Sequence, residues 1–144
     1  MFSIYLGLMR SVADGFLLHS NSIKLIMPTI FRKYAKSQHD LIDIESIIWV
    51  DSIRDQLETF ERLASSVIVL PGGYGTFLEL FNFLAHKKNA LLNHTNIYLF
   101  NCDGFFNYLL MQLEVMFKEN TLKQKEKDIL IVLNSIADLI NNFS

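Results

Sequence analysis

The chain has one cysteine in 144 residues, Cys102. An internal disulfide is therefore impossible, and no CxxC-type metal spacing exists. A reducing cytoplasm is the compartment this suggests. No apolar run approaches the ~18 residues needed to span a bilayer. The N-terminus is apolar but lacks a basic start, and Arg10 and Asp14 interrupt it, which argues against a signal peptide. The net charge is only −2, so there is no electrostatic case for nucleic acid. Repeats and low-complexity tracts are absent. What is plentiful is hydrophobic side chain, 51% of the sequence, enough for a sizeable core. A chain of this length reads as one domain, residues 1–144.

Glycine is also scarce, yet three of the six glycines fall within four residues, at Gly72, Gly73 and Gly75. They follow the short β-branched run Val67-Ile68-Val69-Leu70, which reads as a strand covered on both faces. Pro71 ends that strand, because proline has no N–H for a ladder. The glycines let the backbone turn tightly and bring its N–H groups close to a ligand. Thr76 to Glu79 then opens a helix, whose start leaves unpaired N–H groups and about half a positive charge, suited to a phosphate. A purely structural reading stands beside this one. Thr76-x-x-Glu79 fits a capping box, in which each side chain satisfies the other's backbone donor. The turn is neither a P-loop, since no Gly-Lys-Ser/Thr follows, nor a GxGxxG fingerprint.

Elsewhere strand and helix alternate, as in a parallel sheet with right-handed crossovers. Residues 8–17 pair apolar positions at four-residue spacing, an amphipathic helix. A short strand over residues 23–27 stops at Pro28. Residues 29–46 are polar, with Arg32, Lys33 and Lys36 clustered, and read as a solvated loop or as a flap over an anionic substrate. Residues 47–50 form a strand, Asp51 or Ser52 caps the next helix, and Ile53, Leu57, Phe60 and Ala64 form its buried stripe. Arg54 and Gln56 lie early in that helix, at the carboxyl end of a strand, where open α/β sheets bind ligands. The helix from Thr76 to about Leu92 is so apolar that it is buried nearly all round or used in an interface. His86, Lys87 and Lys88 read as a solvated face. Strands follow at residues 96–100 and 129–133. A helix with Phe106, Leu109, Leu110, Leu113 and Phe117 on one face separates them, and Ser135 caps a last short helix. Cys102 reads as a buried core thiol.

The string PGGYGTFLE after an apolar strand closely resembles the PGGxGTxxE motif of the LOG (Lonely Guy) family, cytokinin-activating nucleoside 5′-monophosphate phosphoribohydrolases whose bacterial members were often labelled lysine decarboxylases. Gly7-Leu8-Met9 with Val12-Ala13 resembles the family's GLMGxVA segment, with Arg10 in place of a glycine. Asn101-Cys102-Asp103-Gly104-Phe105-Phe106 resembles its NxDGYY segment. Family members begin with a further strand, helix and second strand that this chain lacks. The resemblance therefore implies an α/β, Rossmann-like open parallel sheet flanked by helices, without the first strand-helix-strand unit. Where the family has a MHxRK motif with a catalytic arginine, an ungapped count from Pro71 puts Gln56 on the arginine and Arg54 on the histidine. Whether Arg54 substitutes is left open. His86-Lys87 does not support a decarboxylase, for no pyridoxal-phosphate motif accompanies it.

By this resemblance the chain hydrolyses the N-glycosidic bond of a nucleoside 5′-monophosphate such as AMP, releasing a free base, cytokinin or adenine, and ribose 5-phosphate. Glu79 matches the catalytic glutamate, with Arg54 the candidate arginine. Gly72, Gly73, Tyr74, Gly75 and Thr76 would bind phosphate, with Gly7 and Met9 completing the substrate site. No metal or cofactor is implied, and the family's dimers imply a homodimer. The alternative is a degenerate member that binds a nucleotide, or folds with a partner, and catalyses nothing.

Overall fold

A computed structural model describes residues 8–19, 23–32, 47–92 and 94–143. The chain divides into two compact units, Met1–Leu63 and Ala64–Ser144. The fold is α/β, with parallel sheets flanked by helices.

In the first unit, helix α1 (Leu8–Leu17) precedes strand β1 (Leu25–Pro28), a 3-10 turn (Thr29–Phe31), strand β2 (Ile47–Val50) and helix α2 (Ile53–Leu63). β1 and β2 pair in parallel, Leu25 opposite Ile47 and Pro28 opposite Val50. Pro28 thus ends β1 from within, at the last position, where a missing donor costs least. Ala13 of α1 is buried among Leu17, Ile23 and Leu25, whereas Leu8, Val12 and Phe16 stay exposed. Met27 and Ile47 form a second cluster with Leu25, Phe31 and Trp49. Ser52 caps α2: its Oγ accepts the Asp55 N–H at 3.1 Å and donates to Asp55 Oδ2 at 2.7 Å. The expected stripe shifts by part of a turn, because Ile53 is exposed and Thr59 is the buried residue of α2.

The second unit alternates strictly. Strand β3 (Ser66–Val69) leads to helix α3 (Tyr74–Lys88), strand β4 (Asn96–Phe100), a 3-10 turn (Cys102–Gly104) and helix α4 (Asn107–Lys118). A second 3-10 turn (Gln124–Ile129), strand β5 (Leu130–Leu133) and helix α5 (Ile136–Phe143) complete it. The strands are parallel in the order β3-β4-β5, Val67 opposite Ile97 and Ile97 opposite Leu130. β4, central, is the most buried: Ile97, Tyr98 and Leu99 are all in the core. With Leu80, Phe106 and Leu133 also fully buried, each such side chain contributes roughly 1.5–3 kcal/mol of burial. β3 is the end strand of this sheet. Val69 is buried but Ile68 is 40% exposed, so the strand is not covered on both faces as its composition suggested.

α3 is likewise not buried all round. Leu80 and Phe83 enter the core, while Tyr74, Leu78, Phe81 and Ala85 lie on an exposed face. Its basic end is not simply solvated either: Lys87 Nζ donates to the Thr95 carbonyl, and Lys88 Nζ stands 3.5 Å from Glu126 Oε2. The Lys123 N–H donates to that same Glu126 oxygen at 2.9 Å, and with Lys88 it holds the carboxyl below its ordinary pKa. Ser135 caps α5 by accepting the Asp138 N–H, as the sequence suggested.

Candidate functional site

The parallel order puts the turns after β3, β4 and β5 on one edge of one sheet, the carboxyl edge. The glycine turn after β3 starts its helix two residues earlier than Thr76. Gly73 is the N-cap, with extended backbone and no side-chain cap, and Phe77 N–H makes the first helical bond, to Gly73 O at 3.2 Å. The capping box between Thr76 and Glu79 therefore does not form. The amides of Gly73, Tyr74, Gly75 and Thr76 are instead the four that an α-helix leaves without an intrahelical carbonyl. Glu79 falls on the second turn. Helical side chains lean toward the N-terminus, and the residues one turn before Glu79 are Gly75 and Thr76. Burial pushes that carboxyl above its ordinary pKa.

The glycines differ in what requires them. None of Gly72, Gly73 and Gly75 has positive φ. A Cβ at Gly72 would stand 2.1 Å from Thr76 Oγ1 and 2.9 Å from Thr76 Cβ, so Gly72 makes room for the threonine. At Gly73 and Gly75 a Cβ would meet nothing within 4 Å. Tyr74 is 96% exposed.

Arg54 and Gln56 stand on the first turns of α2, in the other unit. Arg54 is exposed. Gln56 is half-buried, and its Nε2 donates to the Ile26 carbonyl at 2.8 Å, tying α2 to β1. Met9 lies in α1, and Gly7 lies outside the described residues, as do Lys33 and Lys36. Arg32 is described, stacked over Trp49 at 5.2 Å.

Asn101 meets Asn107 and Asn134, which sequence reasoning passed over, at the same carboxyl edge. Asn101 Nδ2 donates to Asn107 Oδ1 at 2.9 Å and to Asn134 Oδ1 at 3.3 Å. The NxDGYY resemblance marked Asn101; nothing local marks a partner 33 residues away. Beside it Cys102 is half-exposed rather than buried. Partial desolvation, then the Asp103 carboxylate, push its thiol pKa up, so it is not an activated nucleophile.

A groove of about 1060 Å³ also opens in this unit, lined by apolar side chains of α3 and α4, among them Phe81, Leu84, Met111 and Phe117. The glycine turn and Glu79 do not line it, but Asn101, Asn107 and Asn134 do, so the groove reaches the asparagine cluster at the carboxyl edge. Among the described residues, no cluster of three or more His, Cys, Asp or Glu side chains could hold a metal ion. No helix among them is long and apolar enough to cross a membrane.

Among curated proteins the chain is similar to cytokinin riboside 5′-monophosphate phosphoribohydrolases of Arabidopsis thaliana. It is 30% identical to LOG2 over 98 residues, 67% of this chain and 45% of that protein. To LOG5 it is 27% identical over 94 residues, 65% of this chain and 41% of that protein. A probable member from Oryza sativa subsp. japonica, LOG4, is 25% identical over 95 residues, 66% and 41% of the two chains. The chain thus spans less than half the length of these relatives. The sequence model of the family described as "Possible lysine decarboxylase" matches residues 9–143, nearly the whole chain. With that match and these relatives in hand, the chain belongs to the LOG family.

Proposed function

We propose that residues 1–144 act as one nucleotide-binding domain that hydrolyses the N-glycosidic bond of a nucleoside 5′-monophosphate, at a reduced rate. One observation carries the reading: first-turn amides without an intrahelical carbonyl beside two glycines whose Cα atoms face open space, with a half-buried carboxyl one turn on. The phosphate docks on the amides of Gly73 to Thr76, and the bare Cα of Gly73 and Gly75 lets it approach within hydrogen-bond distance. The bond breaks through a ribosyl cation-like state. The Glu79 carboxylate stabilises that developing charge and holds the ribose hydroxyls or the water. By the family resemblance alone, Arg54 is the candidate cation for the charge that an arginine at position 56 would meet. Gln56 cannot meet it, since its amide is neutral and already bonded to Ile26. The loss of one such contact commonly costs ~10²–10³ in rate.

The test is release of ribose 5-phosphate from AMP and isopentenyl-AMP. Slow turnover that Glu79→Ala abolishes and Gln56→Arg increases is the expected result; Glu79→Ala as active as wild type overturns the assignment. The commitment of Gln56 to β1 favours a second reading, a protein that binds the nucleotide and does not cleave it. Saturable AMP binding with no ribose 5-phosphate from either wild type or Gln56→Arg would select that reading.

We also propose a homodimer, located in the reducing cytoplasm that a single cysteine fits. The exposed apolar faces of α3 (Tyr74, Leu78, Phe81) and α4 (Tyr108, Met111, Val115) are the surfaces assigned to it. Light scattering should give about twice 16.7 kDa; a clean monomer at high concentration contradicts it.

A further inference from the structure

Asn101 follows β4 directly and is 7% exposed. Its backbone N–H donates to Leu133 O at 2.8 Å, its Oδ1 accepts the Phe106 N–H at 2.8 Å, and its Nδ2 serves Asn107 and Asn134. One buried amide thus ties the ends of β4 and β5 to the start of α4. The turn between Asn101 and Asn107 is tightly determined. Asp103 and Gly104 take φ of 52° and 72°, left-handed in succession, which aspartate tolerates and glycine adopts freely. A Cβ at Gly104 would also stand 2.5 Å from Asn107 Nδ2, so only glycine admits the asparagine network.

What this turn places is Phe106, 1% exposed, whose ring stands edge-on to Phe77 with centroids 5.9 Å apart. Phe77 makes the first helical bond of α3 and lies between Thr76 and Glu79. We infer that Asn101 is a positioning residue: through Phe106 and Phe77 it sets where the first turns of α3, and with them Thr76 and Glu79, stand. What the turn binds rests on the function proposed above; the coupling itself does not.

The experiment uses the full chain, labelled for NMR, and reads two signals without ligand: the Thr76 amide and the Glu79 carboxyl carbon. It then titrates AMP. Asn101→Asp keeps the acceptor for Phe106 N–H, and the amides of Asn107 and Asn134 can turn over to donate to it. Asn101→Leu leaves Phe106 N–H unpaired. The expected result is that Asn101→Leu moves both signals and weakens AMP binding about tenfold, the upper end of an aromatic pair's contribution. Asn101→Asp should stay near wild type. Asn101→Leu that melts earlier while both signals and AMP affinity hold still would overturn the inference, since that is all a structural role does. If Asn101→Leu does not fold, Phe106→Leu decides, because it keeps the backbone bond and removes only the ring edge: signals unmoved there overturn the coupling. If wild type binds no AMP, the proposed function fails, and the two ligand-free signals still judge Asn101.

Discussion

Alanine placed at each glycine of the turn separates folding from binding. Gly72→Ala drives a methyl to 2.1 Å from Thr76 Oγ1 and 2.9 Å from its Cβ. The hydroxyl can rotate away, but the Cβ is fixed to the helix backbone, so the first turn must shift. Overpacking of this kind costs about 1–3 kcal/mol. Gly75→Ala meets nothing within 4 Å and lies inside α3. It removes glycine's backbone entropy from a helix, a gain of about 0.5–1 kcal/mol. The two substitutions, three residues apart, should therefore move stability in opposite directions. Binding follows a different rule. A methyl at Gly75 would fill the space through which the proposed phosphate reaches the amides. Loss of one charge-assisted hydrogen bond, about 1.5–3 kcal/mol, weakens AMP roughly 10- to 100-fold. Urea melts and AMP titration by calorimetry measure both. Gly75→Ala that is stabilised yet binds AMP roughly 10- to 100-fold more weakly is the expected outcome. Gly75→Ala binding AMP like wild type refutes the phosphate site, and Gly72→Ala unfolding at the wild-type midpoint refutes the packing argument.

The raised pKa of Glu79 carries a signed consequence. Its folded pKa lies above the unfolded value near 4.5, so its contribution to stability is full below that pH and is lost as pH rises through the folded pKa. Glu79→Gln should therefore be the more stable protein at neutral pH, with a gap that closes toward pH 4; urea midpoints showing a gap independent of pH contradict this. Ala90 takes φ of 62° just after α3, where its N–H bonds Lys87 O and Leu91 N–H bonds His86 O. Ala90→Gly should raise stability by about 1 kcal/mol in thermal melts, and a loss would show that the alanine is not strained. Gln56→Leu leaves the Ile26 carbonyl without its donor and should lower stability by about 1–3 kcal/mol in the same melts.

Local chemistry was legible where it was decided locally. The apolar run closed by Pro71, the glycine turn and the helix after it follow from β-branching, a missing donor and backbone freedom. Ser52 and Ser135 announce their helices because a cap bonds three residues on. The alternation of strand and helix announces parallel pairing. Other features depend on partners far along the chain. Thr76 and Glu79 spell a capping box, yet the threonine side chain packs on Gly72 and the helix begins at Tyr74, so packing overrode the pattern. Gln56 reads as a lesion beside a family motif, but its amide holds a carbonyl 30 residues earlier. Val67 to Leu70 reads as a fully covered strand, yet in the end strand of β3-β4-β5 Ile68 is exposed. Asn101 looks like one more polar turn residue until β5 brings Asn134 beside it and Phe106 meets Phe77. Composition and spacing set the elements and the chemistry they carry. Only the folded chain decided which side chains those elements bring within a bond's length of one another, because burial and hydrogen bonding act across space and not along sequence.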